Sequence, residues 1–180
     1  MADIKRKGYG QVEPNHLSGI VTGQIYAQLP VKSGETQLEQ GQFAKYNYAA
    51  GVVDFDSEDG EFMLVYNEEK LYDERKQAHK DFVYKVGDFT DKQMFPRLIR
   101  TYVGDIMTTN MIGVANTSDE AEVTIGDDEE LVVGKYLAPN TTKGILTYSA
   151  TKPAEGMAWK IVKVYTMPDG QFGVKIQRVQ

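Results

Sequence analysis

The chain has 180 residues, a formal net charge of −6 and a pI near 5.0, with 41% hydrophobic and 11% aromatic residues. One domain or two small ones fit that length, and such a composition excludes disorder throughout. The acidic balance disfavours whole-surface attraction to nucleic acid, and zero cysteines exclude disulfides and thiolate metal sites.

The opening Met1-Ala2-Asp3-Ile4-Lys5-Arg6-Lys7 is polar and carries no apolar core of a signal peptide. No run approaches the roughly eighteen apolar residues of a membrane span, so a soluble protein is expected, compatible with a reducing cytosol. Residues 1–35 read as an extended lead-in, punctuated by Gly8, Gly10, Gly19, Gly23, Gly34, Pro14 and Pro30. Its apolar residues Leu17, Ile20, Val21, Ile25, Tyr26 and Leu29 can cover the chain's own body or reach a neighbouring subunit. The second reading predicts that removing residues 1–30 weakens assembly more than it lowers the melting temperature.

A β-rich body follows over residues 36–180. Short aromatic and β-branched runs at 42–48, 52–55 and 62–66 are separated by Ala49-Ala50-Gly51 and by the acidic turn Asp56–Gly60. Residues 68–82 carry the one helical pattern, with Leu71, Arg75, Ala78 and Phe82 on one face. Strands are expected at 100–110, 122–125, 131–137 and 144–148, with Pro139 and Pro153 at connections. Ala158 to Tyr165 and Val174 to Val179 form a hairpin around Met167-Pro168-Asp169-Gly170, because proline presets φ and Asp-Gly tolerates positive φ. Leu38-Glu39-Gln40-Gly41-Gln42-Phe43 and Leu131-Val132-Val133-Gly134-Lys135-Tyr136 share a pattern, which allows two related modules, about 36–115 and 116–180. The expected fold is mainly β: an antiparallel β-barrel or sandwich-like body, an extended N-terminal lead-in, and at most one or two short helices.

Chemistry is sparse by comparison. His16 and His79 have no metal-ligand spacing, and no G-x-S-x-G, Walker or dinucleotide motif occurs. The acidic run Asp54 to Glu61 fails the EF-hand pattern, since positions six and twelve are Asp59 and Val65. An acidic turn is the simpler reading, with another calcium geometry as its alternative. Asp119, Glu120, Glu122 and Asp127 to Glu130 lie in polar sequence suited to solubility or partner steering. No catalytic, cofactor or metal residue is nominated, and no enzyme is expected. Lys5, Arg6 and Lys7 form a basic cluster too small for a dedicated nucleic-acid binder. With Tyr9, Leu17, Ile20, Ile25 and Tyr26 they are the candidate partner or subunit contacts.

Several segments then resemble a family together. These are Lys7–Asn15, Thr22–Pro30, Gly41–Tyr46, Met63–Glu68, Val103–Ile106 with Thr108–Asn110, and Lys163–Gln171. The set resembles small virion proteins of tailed bacteriophages, of the kind encoded among head genes beside the major capsid protein. The resemblance implies a structural role as a capsid decoration (cement) or auxiliary head protein. It implies the major capsid protein as partner, a homo-oligomer, and residence in the virion after assembly in the host cytoplasm. It implies no cofactor, membrane or specific nucleic acid, and it transfers no individual binding residue. The alternatives are a head–tail connector or tail component, and, from another class, a β-barrel that holds carbohydrate or another small ligand.

Overall fold

The computed structural model describes residues 4–5, 9–35, 37–58, 60–67, 83–85, 95–113, 124–125, 131–167 and 170–180. The helix expected at 68–82 and the acidic stretch at 119–123 and 126–130 lie outside them. Among the described residues the chain is mainly β, with one four-residue helix.

Six strands form the larger sheet: β2 (Val12–His16), β10 (Ile106–Thr109), β12 (Tyr136–Pro139), β13 (Leu146–Ser149), β14 (Trp159–Thr166) and β15 (Phe172–Arg178). Their spatial order is β13-β12-β14-β15-β10-β2, antiparallel throughout. A second sheet has the order β3-β9-β7-β5-β6, where β3 is Ile25–Tyr26, β5 Phe43–Asn47, β6 Val52–Asp54, β7 Met63–Val65 and β9 Leu98–Ile99. Two-stranded ladders pair β4 (Gln37–Glu39) with β8 (Val83–Lys85) and β1 (Ile4–Lys5) with β11 (Thr124–Ile125).

Side-chain alternation explains the layering. Successive strand residues point to opposite faces. Phe43 and Leu64 therefore enter a core shared with Met107, Leu137, Leu146, Trp159, Ile161, Val174 and Ile176 of the six-stranded sheet. Their neighbours Ala44, Met63 and Val65 enter a second core with Leu38, Tyr46, Val53 and Leu98, against which Tyr84 packs. The five-stranded sheet is thus apolar on both faces, which is why Met63-Leu64-Val65 is a continuous apolar run buried throughout. Among the described residues no ladder closes the larger sheet into a barrel. A single parallel bridge, Ile112 to Leu146, links the segment after β10 to the β13 edge. The sandwich-like alternative describes the body better.

The six-residue echo is a turn, and among the described residues the same turn occurs three times. In Glu39–Gln42, Tyr102–Asp105 and Val132–Lys135 the fourth N–H donates to the first carbonyl, at 3.3, 3.0 and 3.1 Å. The third residue is Gly41, Gly104 or Gly134, with φ of 90°, 100° and 93°, a region where a side chain is strained. Each glycine N–H donates to a strand carbonyl (Val65, Arg178, Ile161), and the same strand residue returns its N–H to the residue after the glycine. The Tyr102–Asp105 turn splits the strand expected at 100–110. The sheet also runs across residue 115: β10 pairs with β15, and both halves feed one core.

The lead-in lies on this body. Val12 and Leu17 are buried in the first core, and β2 pairs with β10. Tyr26, Leu29 and Val31 pack against the second core. The described part of the lead-in therefore contributes to both cores, and this packing points to a loss of stability on removing it, whereas the sequence reading expects assembly to weaken more than the melting temperature falls.

Candidate interaction surface

The apolar residues of the lead-in divide by direction. Leu17 is buried, Ile20 packs against the first core, Ile25 stands opposite Ile99, and Tyr26 meets Tyr46 edge-on with ring centroids 5.6 Å apart. These four support the fold. Tyr9 is half-buried, Lys5 lies in β1 opposite Thr124, and Arg6 and Lys7 fall outside the described residues. The outward residue is Val21, 79% exposed at the end of helix α1 (Ser18–Val21).

Helix α1 ends in a Schellman arrangement. The Gln24 N–H donates to Gly19 O at 2.8 Å and the Gly23 N–H to Ile20 O at 3.2 Å, with Gly23 at φ 70°. Its start is capped from far along the chain. The Asp105 carboxylate, 1% exposed, accepts the Ser18 N–H at 3.0 Å and the Ser18 hydroxyl at 2.6 Å through Oδ1. Its Oδ2 accepts the Tyr102 N–H at 2.8 Å. The Tyr102 hydroxyl donates to Gln24 Oε1, and the Arg100 N–H to Gln24 O. Gly19 permits this close approach: a Cβ there would stand 2.0 Å from the Arg100 carbonyl oxygen.

This clamp fixes α1 beside the Tyr102–Asp105 turn, whose second residue, Val103, is 69% exposed. Two apolar side chains are thereby displayed on rigid frames from distant parts of the sequence. Charged groups lie on the segments that flank the clamp, where the Gly104 N–H donates to Arg178 O and the Arg100 N–H to Gln24 O. Arg100 is bonded to Glu61 through Nε, which raises its pKa. Arg178 donates to Thr101 O and Oγ1 and to Gln180 O, and burial lowers its pKa against the opposing pull of Glu61 and Asp105. Val103 was legible only as part of a strand, and Val21 only as one apolar residue among six; the turn and the cap decide which of them face outward.

Two of the grooves on the described surface carry charged side chains. One, of 530 Å³, includes Lys32, Glu35, Asp54, Asp56 and Thr141. Its charges are internally matched, with Lys32–Asp56 at 3.3 Å and Lys143–Glu35 at 3.5 Å. The Asp54 carboxylate accepts the Ser57 N–H at 3.1 Å and an Asn47 Nδ2 hydrogen at 3.0 Å, as an acidic turn requires. Among the described residues no group of three or more His, Cys, Asp and Glu could hold a metal ion. The other groove, of 410 Å³, is lined by residues including Lys45, Glu61, Phe62, Met157 and Arg178. Between the two large sheets Phe43 and Trp159 are fully buried, with ring centroids 5.8 Å apart.

Compared with known proteins, the chain matches no family model, no curated protein and no solved structure.

Proposed function

We propose that this chain is a non-enzymatic virion protein of a tailed phage, a capsid decoration or cement protein that adheres to the major capsid protein as a homo-oligomer. The observation that carries the reading is the pair of exposed valines, Val21 and Val103, on the two segments that the Asp105 carboxylate ties together. A buried carboxylate, a helix cap and a glycine turn are all spent on holding two exposed valines in place. Preorganised apolar anchors lose little conformational freedom on association, so more of their burial appears as affinity. The tyrosine and arginine neighbours Tyr102, Arg100 and Arg178 are residue types enriched at protein interfaces. The sequence resemblance supplies the phage context, and with it a virion location after assembly in the host cytoplasm. Packing of Phe43 against Trp159 between the sheets supports adhesion over a barrel that holds carbohydrate in its mouth.

Co-sedimentation with cognate capsids tests the reading. Wild-type protein should pellet with capsids, and a Val21→Asp, Val103→Asp double variant should not, while its circular dichroism melt stays unchanged. Folded wild-type protein that stays in the supernatant would overturn the proposal. Electron microscopy of labelled virions separates a decoration site from the connector and tail alternatives.

A further inference from the structure

We propose that the groove at Lys45, Phe62, Met157 and Arg178 receives an extended segment of a partner protein that carries a carboxylate beside an aliphatic side chain. The groove lies where β5 and the residues before β7 face Pro139, Met157 and Arg178 of the larger sheet's strands and connections. Its volume, 410 Å³, is in the range that encloses a few side chains.

The two cations of the groove have capacity left over. Arg178 spends Nε on Gln180 O and Nη1 on Thr101, and its Nη2 makes no hydrogen bond among the described residues. Lys45 Nζ donates to Ser57 O at 2.7 Å and sits 4.6 Å from the centre of the Phe62 ring, which holds the ammonium in place. An ammonium carries three donors, so one or two remain. Of the two carboxylates here, Glu61 is engaged by Arg100, while Glu155 is exposed at the rim. On a chain of net charge −6 the groove is locally balanced, with Lys45 and Arg178 against Glu61 and Glu155, and its two cations keep donors that no carboxylate of the groove takes up. An acidic segment is repelled by the surface at large and accepted where Arg178 and Lys45 stand over an apolar floor, which gives register as well as affinity. Glu155 limits the guest to one carboxylate.

This inference rests on the adhesive reading only for the source of the segment, the coated surface. Its test needs no capsid, so the two can fail separately. The full chain, labelled with ¹⁵N, is titrated with acetyl-Leu-Glu-Leu-amide and with acetyl-Leu-Gln-Leu-amide. The Glu peptide should shift the amides of Gly60, Glu61, Phe62, Gly156 and Met157. The Gln peptide should bind about ten-fold more weakly, the scale of one charge-assisted hydrogen bond open to water on one side. Lys45→Gln should weaken the Glu peptide, and Glu155→Gln, at an exposed position with no fold to lose, should strengthen it. Equal binding of both peptides, shifts confined elsewhere, no shifts at all, or weakening by Glu155→Gln would each overturn the assignment.

Discussion

Ser18 and Asp105 stand 87 positions apart, yet one carboxylate oxygen of Asp105 accepts both the backbone N–H and the hydroxyl of Ser18. The other oxygen holds the Tyr102 N–H. Asp105→Ala would leave two part-buried backbone donors without partners, a loss of about 2 kcal/mol. Ser18→Ala removes only the hydroxyl's bond and should cost about 1 kcal/mol. Denaturant unfolding of the two variants checks the ordering. Equal losses would mean that Asp105 acts through Ser18 Oγ alone and does not cap the helix.

Removal of residues 1–30 should abolish stable folding rather than merely impair assembly. Burial of Val12 and Leu17 contributes about 1.5–3 kcal/mol each, and loss of β2 exposes the β10 edge as well. A domain of this size has only about 5–15 kcal/mol in total. A cooperative melt of the truncated protein within a few degrees of wild type would contradict this.

Tyr46 should give the protein an alkaline limit. Burial raises its pKa above the ordinary 10.0, against hydrogen bonds from the Gln28 and Leu29 backbone that lower it. A raised folded pKa means that folding holds the proton more tightly than the unfolded chain does. Its contribution is complete below the unfolded value near 10 and is lost as pH climbs through the folded value. Spectrophotometric titration should show one phenol ionising late, and Tyr46→Phe should remove that late step. A single transition identical in both proteins would refute it.

The fold class was legible because the strands of this chain are short, β-branched and separated by glycine turns. The closing hairpin shows how far that goes: β14 and β15 pair over Trp159–Arg178, and Gly170 has φ 82° with its N–H on Met167 O. Local chemistry decides such a turn, so sequence suffices. The Leu-x-x-Gly-x-aromatic echo found two of the three equivalent turns; the third hides because Thr101 and Ile106 replace Leu and the aromatic residue. The interaction surface was much less legible. Which side of the lead-in faces outward depends on Asp105, a residue that nothing near Ser18 in sequence announces. Leu17 and Ile20, nominated as contacts for their apolar character, turn inward for the same reason.

Trp159, the only tryptophan, sits fully buried against Phe43, and its Nε1 has no hydrogen-bond partner among the described residues. Two effects oppose each other on replacing it with phenylalanine. The smaller ring leaves a void, and the burial of an unpaired N–H, worth about 1–3 kcal/mol, disappears. Trp159→Phe should therefore change stability by no more than about 1 kcal/mol, whereas Trp159→Ala should cost about 3–5 kcal/mol because its far larger cavity outweighs the same relief. Circular dichroism must follow unfolding, since both variants lose the fluorophore. A Phe variant as damaged as the Ala variant would show that the indole N–H is satisfied in solution and that Trp159 contributes more than its packing.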